Sequence, residues 1–384
     1  MFLFLYIKIL CDIGWPATYI YKEPGTASAN AIQDLNIREH QTYHINSCLL
    51  ALRTPENIAK MAQHRYEDYT VCWVCALPIE LAAAQAMLDE VHGSFDMYTL
   101  GRIGNHNVVI ACLPNGQTGI SPAAADAVIN QMMETFLSIR FGLMVGIGGG
   151  APTAEAEADI RLGDVVISQP QNMNSGVVQY VATSSGFKKI GGFFNRPPTI
   201  LRSAVSRLEA DDMLGGFRIM EILDGFPIFA GPDVLFEADY QHVGGATCEL
   251  CSRERAVERK PRHAQRTVAH YGTIASGDRD MRDGAERDRA SSELGGVLCF
   301  ETVAASLMVD FPCLVIRGIC DYVDSHKDKR WRAYAAVAAA EYAKELLSVI
   351  PTPRRFDEII MEKNCLRYLL NNNSDSRESS IMAE

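Results

Sequence analysis

Carboxylates, glycines and a serine stand where the apolar runs of this chain end. Glu80 follows CWVCAL, and Gly146-Ile147-Gly148-Gly149-Gly150 closes the run that begins FGLMV. Ser276-Gly277-Asp278 follows GTIA, Glu301 closes VLCFE, and Asp321 and Asp324 follow CLVIRGIC. Two separated carboxylates can divide acid and base roles when their surroundings push their pKa values apart. Glycines let a ligand approach the backbone with no Cβ in the way. The set reads as acid–base chemistry on a small molecule lying over a glycine floor. The glycine run does not complete a GxGxxG fingerprint, and no GxxxxGK[ST] loop is present, which argues against a dinucleotide dehydrogenase and an NTPase.

The elements that must position these residues alternate in type. YTVCWVCAL is an apolar run of strand length, and PIELAAAQAMLDEV, opened by Pro78, is rich in helix formers. YTLGRIG and NVVIACL predict a hairpin about Gly104-Asn105, and PAAADAVINQMMETF a helix. FGLMVGIGGG and DVVIS predict strands, and ILRSAVSRLEADD a helix. VAHYGTIASG predicts one strand, followed by the helix AERDRASSEL, the strand VLCFE, the helix TVAASLMV and the strand CLVIRGICD. RWRAYAAVAAAEYAKELLSVI is the last helix, with Pro351 beyond it. Strand–helix alternation predicts an α/β fold: three layers, a mixed, mostly parallel sheet flanked by helices, with an internal insertion. Ligands of such sheets sit at the carboxyl ends of the strands, where the carboxylates stand.

The chain has 384 residues, a formal charge of -11, 48% hydrophobic residues and 22% charged residues. An acidic chain without a basic stripe excludes a general phosphate-backbone binder, so no nucleic-acid partner is expected. No run of 18 apolar residues suggests a membrane span. MFLFLYIKIL lacks a basic leader, and Lys8 and Asp12 interrupt it, which argues against a signal peptide. Eleven cysteines, many of them in apolar runs, read as reduced buried thiols and a cytoplasmic location. Residues 1–66 and 351–384 read as poorly ordered ends, 67–350 as one domain, and about 212–267 as its insertion.

The segments CALPIELAAAQAMLDEVH, GIGGGAP, DIRLGDVVIS, HYGTIASG, ELGGVLCFE and DFPCLVIRGICDYVDSHKDKRW resemble, in order, the nucleoside phosphorylase and nucleosidase superfamily. They are most similar to a fungal branch found at the front of receptor-like proteins. The resemblance covers about residues 69–350. It implies the three-layer phosphorylase/hydrolase-like fold and cleavage of the N-glycosidic bond of a purine nucleoside. It further implies Asp321 as the acid toward the purine, Glu80 as the base that readies water, and Gly146, Gly148, Gly149, Ser276 and Gly277 as the pocket lining. No metal or organic cofactor is implied; phosphate is a co-substrate if the reaction is phosphorolytic. A small-molecule nucleoside and further copies of the chain are the expected partners.

Three departures bear on the chemistry. ALPIEL lacks the glycine-aspartate-proline turn and the arginine that hold phosphate in phosphorolytic relatives, which favours water as the nucleophile. Arg161 and Arg317 are the other arginines at hand, the first in a turn and the second inside a strand. Where relatives carry Glu-Met-Glu, this chain reads Glu301-Thr302-Val303, so Val303 replaces the glutamate that takes the ribose hydroxyls. A charge-assisted hydrogen bond is worth about 1.5–3 kcal/mol, or roughly 10- to 150-fold in rate. The alternative reading is therefore a catalytically impaired module that senses a nucleoside or nucleotide. Asp280 stands where relatives place an apolar or aromatic residue near the base.

The insertion holds His242, Cys248 and Cys251, with His263 and His270 downstream. Cys-x-x-Cys is half of a zinc site. The spacing offers no clean second pair, so the expectation is a structured insertion without a metal.

Overall fold

The computed structural model describes residues 64–352 apart from 96, 115–121, 153–157, 172–173, 191–193, 215–229, 263–266 and 310. Residues 1–63 of the expected extension, 353–384 of the expected tail, His263 and part of the insertion lie outside the described residues.

A 12-stranded mixed sheet forms the middle layer. Val71–Cys75 (β1) is buried on both faces, as its unbroken apolar run requires, and Pro78–Ala86 (α1) follows it. Glu90–Phe95 (β2), Tyr98–Ile103 (β3) and His106–Cys112 (β4) make an antiparallel meander. Pro122–Thr135 (α2) leads to Phe141–Gly150 (β5), the central strand. Val165–Ser168 (β6), the hairpin Val177–Thr183 (β7) and Gly186–Ile190 (β8), and Thr199–Met213 (α3) follow. After the insertion come Ala269–Gly272 (β9), Ile274–Ser276 (β10), Gly284–Glu293 (α4), Cys299–Glu301 (β11), Ala304–Leu307 (α5), Cys313–Asp321 (β12) and Trp331–Ser348 (α6).

The α/β reading holds, with corrections. The first helix ends at Ala86, because the chain from Glu90 pairs with β3 as a strand. VAHYGTIASG is two strands, since β9 pairs with β6 while β10 pairs with β7 and β11. The helix expected at TVAASLMV is one turn, Ala304–Leu307. The β7–β8 hairpin has no counterpart in the sequence reading, although VVQYVAT and GFKKI flank Ser184-Ser185.

β5 organises the sheet. Its Gly142–Gly149 stretch pairs with β12 along one edge. On the other edge it pairs first with β1 through Phe141–Met144, then with β11 at Gly149 and Gly150. The strand therefore exchanges one neighbour for another between Met144 and Gly149. Such parting of neighbours at the carboxyl end of a parallel strand is where ligand crevices of α/β sheets form.

Two apolar clusters fill the layers. One packs α6 on a sheet face; the other gathers α2, α5 and the opposite face. α6 is rich in buried alanine, so it lies close to β12 at Gly318. A Cβ on Gly318 would collide with the Ala335 carbonyl, 2.5 Å from its carbon. Gly318→Ala is expected to cost at least the roughly 1–3 kcal/mol of core overpacking, because backbone cannot rotate away. A denaturant midpoint equal to wild type would contradict this packing.

Among the described residues, no helix is long and apolar enough to cross a membrane, and every described cysteine is a free thiol.

Candidate active site

Glu80 is placed by its helix start. Pro78 opens α1, and Glu80 Oε2 accepts from the backbone N–H of Leu77 at 3.0 Å and of Ala76 at 2.7 Å. This is the carboxylate half of a capping box. The other oxygen does something a plain cap would not. Oε1 accepts from the Ile147 N–H at 2.8 Å, in the gap where β5 has left β1 and not yet met β11. A strand N–H without a neighbouring strand needs an acceptor, and Glu80 supplies it. The carboxylate is thereby carried into the gap between the strands.

Glu80 is 4% exposed. Burial raises its pKa above the ordinary carboxylate value, against the lowering effects of Arg317 and the three backbone N–H groups. Three of about four acceptor positions are occupied, leaving one to take a proton.

Arg317 lies inside β12, almost fully buried, and donates to Glu301 Oε2 at 2.6 Å. A Cβ on Gly146 would run into Glu80 Oε1 and stand 2.5 Å from an Arg317 terminal nitrogen. Gly146 is thus the space in which Glu80 and Arg317 face each other. Gly148 lies against Cys299, and Gly149 against Asp321 and Val323, with Asp321 Oδ1 2.9 Å from the position of a Cβ. The glycines belong to β5 itself, where each makes room for a neighbouring side chain.

Glu301 is committed. Its Oε2 accepts from the N–H of Val303 and of Ala304, both at 2.9 Å, and from Arg317. It caps α5 and pairs with Arg317, so both of its oxygens already have partners. Thr302 is exposed, while Val303 is 6% exposed and joins the apolar cluster on the α2 side. Ser276 Oγ accepts from the Ala305 N–H at 3.0 Å and so pins the same turn. Gly277 accommodates the Tyr180 ring, 2.5 Å from the position of its Cβ.

Asp321 ends β12, beyond an irregularity between Ile319 and Asp321 in its pairing with β5. Bulges of this kind re-aim side chains. Val323 N–H holds Oδ1 at 2.9 Å, and Oδ2 lies 3.5 Å from Lys327 Nζ. Val323 has φ +57°, the one positive φ outside glycine among the described residues. A β-branched residue there is strained, and such strain clusters at ligand sites.

Asp280, the third departure, is not an isolated charge. Lys327 bonds it, and Arg282 Nε donates to it at 3.1 Å. Lys327 therefore links Asp280 to Asp321. Burial lowers the Lys327 pKa, but the two carboxylates outweigh it and hold the ammonium above its ordinary value.

Sequence reasoning missed Lys327 and the use of Arg317 as a partner of both glutamates. Their signal was slight: a lysine in a charged run and an arginine in an apolar strand. Arg161 serves elsewhere, paired with Asp159 and the Lys260 carbonyl. His270 bonds Asp164, not a metal cluster.

No family model matches the chain. It is 44% identical over 306 residues to a nucleotide-binding leucine-rich repeat (NLR)-like protein of Hyaloscypha variabilis, covering 74% of this chain. The chain spans only 30% of that relative's length. It is 24% identical over 293 residues to the 5'-methylthioadenosine/S-adenosylhomocysteine nucleosidase of Mycobacterium bovis, covering 73% of this chain and 97% of the nucleosidase. The solved structure of Helicobacter pylori futalosine hydrolase matches with a TM-score of 0.48 and 14% identity, over 73% of this chain and 98% of that one. The near-full-length similarity to the mycobacterial nucleosidase agrees with the resemblance carried by the segments bearing Glu80, the β5 glycines and Asp321: the chain is similar to the nucleoside phosphorylase and nucleosidase superfamily.

Proposed function

We propose that the chain hydrolyses the N-glycosidic bond of a purine nucleoside or nucleoside-like substrate. The observation that carries this is Glu80: a desolvated carboxylate with raised pKa, held in the strand gap beside Arg317. A general base works best when its pKa lies near the operating pH. Water attacks the anomeric carbon as the carbon–nitrogen bond breaks. Glu80 takes the water proton, and the electron pair of the broken bond goes to the purine.

Asp321 serves the leaving base by giving a proton or hydrogen bond to a ring nitrogen. Its Oδ2, free of backbone donors though 3.5 Å from Lys327 Nζ and 3.6 Å from the Cys320 thiol, is the oxygen proposed for this. Glu80 and Asp321 stand against Gly146 and Gly149, three residues apart on one strand, or about 10 Å of rise. That separation suits a base acting at the sugar and an acid acting at the purine. Arg317 is neutralised by Glu301, which supports water over phosphate as the nucleophile. The mycobacterial nucleosidase relative supports a purine nucleoside with a sulfur-bearing 5′ substituent as the first substrate to try.

The test incubates the protein with adenosine, inosine, methylthioadenosine and ATP, with and without phosphate, and assays free base. Release that is independent of phosphate and lost in Asp321→Asn is expected. Release from wild type no greater than from Asp321→Asn removes the enzyme reading. Val303 favours a second reading, a module that binds the nucleoside without turnover. That reading expects a ligand-induced rise in melting temperature with no base released.

A further inference from the structure

We infer that His242, Cys248, Cys251 and His326 form a structural zinc site that staples the insertion to the loop after β12. The Cys-x-x-Cys of the insertion supplies two thiols, both free. His242 Nδ1 lies 3.3 Å from Cys251 Sγ and 3.8 Å from Cys248 Sγ. Ligands around one tetrahedral zinc, at about 2.3 Å for sulfur and 2.0–2.1 Å for nitrogen, stand about 3.3–3.8 Å apart. These two separations match; Cys248 Sγ, close to His242, stands outside the group of His242, Cys251 and His326 atoms that are mutually within 4.8 Å and would close onto the ion.

The fourth ligand comes from far along the chain. Ligand atoms of His242, Cys251 and His326 all lie within 4.8 Å of one another. The His326 side chain is 3% exposed, and neither ring nitrogen has a hydrogen-bond partner. A buried imidazole left unbonded is costly, and a metal ion would satisfy it. Phe236 stacks on the ring at a centroid distance of 4.2 Å, and Tyr240 at 5.4 Å, fixing its plane.

The surrounding shell has the arrangement metal-bound imidazoles favour. His242 Nε2 lies 3.2 Å from the Gly245 carbonyl. Because a carbonyl only accepts, that nitrogen carries the hydrogen and Nδ1 keeps its lone pair toward the sulfurs. His326 Nδ1 lies 3.7 Å from Asp324 Oδ2, so a carboxylate stands behind that ring too. Two thiolates and two imidazoles suit zinc above harder cations. Two thiolates also cancel the ion's charge.

The site would join two parts of the molecule. The His242 N–H already donates to Ser325 Oγ at 2.9 Å. His326 adjoins Lys327, the partner of Asp321 and Asp280. The metal would hold this loop, and with it the Lys327 ammonium, in place.

The inference stands apart from the proposed reaction, since its readouts are metal content, absorption and melting temperature. Elemental analysis of the full chain, purified in reductant without chelator, is expected to find one zinc per chain. Cobalt in its place is expected to give the intense visible absorption of a tetrahedral thiolate site. Cys251→Ser and His326→Gln are each expected to lose stoichiometric zinc, and chelation is expected to lower the melting temperature. A folded wild type that takes up no zinc, or holds a Cys248–Cys251 disulfide, overturns the site. An octahedral cobalt spectrum removes the thiolate ligands. His326→Gln with full zinc and an unaltered cobalt spectrum removes the fourth ligand. An unchanged melting temperature after zinc removal removes the staple. Should the variants not fold, the wild-type measurements still decide.

Discussion

Glu80→Gln is expected to lower base release by roughly 10²- to 10⁴-fold, the range contributed by a positioned general base. An amide cannot take the proton of the attacking water. The substitution also disturbs the anchor, because both Glu80 oxygens accept from backbone, one from Ile147 and the other from Ala76 and Leu77. A glutamine has one carbonyl oxygen, so whichever way it turns, its NH₂ faces an N–H donor. About 1–3 kcal/mol of stability is at stake for each unsatisfied buried group, and the melting temperature must be read beside the rate. The pH profile separates the two effects. In wild type the acid limb of kcat/KM is expected above the ordinary carboxylate pKa, as burial raises Glu80; the variant should lack that limb. The sign for stability is the opposite of a salt-bridged carboxylate. A raised folded pKa means the native state resists ionisation, so wild type loses stability relative to the variant as pH climbs from about 4.5 through the raised value. Wild-type base release by a folded Glu80→Gln protein would end the assignment.

Val303→Glu is expected to increase base release by about 10- to 150-fold, the rate equivalent of one charge-assisted hydrogen bond to the sugar. Val303 is buried in an apolar cluster with Cys299, Ile319 and Phe311. Its own N–H and that of Ala304 already serve Glu301. A glutamate at 303 finds those two N–H groups already taken, and the expected gain requires its carboxylate to leave the apolar cluster for a substrate hydroxyl. The comparison to make is kcat/KM of the two proteins on the same nucleoside, with melting temperatures alongside. A rise shows the remaining groups to be competent. A folded variant with no rise, from a wild type that binds nucleoside without cleaving it, supports the sensing reading instead.

Much of the candidate site was legible because its residues sit at strand ends. Glu80, the glycine run and Asp321 each close an apolar run, and the order of those runs carried the family. Glu301 was legible as a strand-end carboxylate, but not as a cap, since its partners are the backbone of a single helical turn and an arginine from another strand. The β7–β8 hairpin was missed because its strands are short and its outer edge is polar. The Glu90–Phe95 strand was absorbed into a helix because its partner, β3, outweighs the helix-forming residues around it.

The zinc ligands show the same division. Cys-x-x-Cys is local and was read at once; His326 belongs to a separate segment, and no spacing rule connects it to Cys251. Composition, periodicity and the positions where apolar runs stop were enough to determine the fold class and the strand-end carboxylates; the reading of Val303 in place of a ribose ligand came from the family resemblance. Only the tertiary structure decided which side chains meet. It placed Glu80 in the gap where β5 changes partners, set Arg317 between two glutamates, joined Asp280 to Asp321 through Lys327, and brought His326 to the cysteines. The reason is physical: hydrophobic patterning reports which face of an element is buried, whereas pairing of polar groups depends on strand register and on how far each strand runs before it parts from its neighbour.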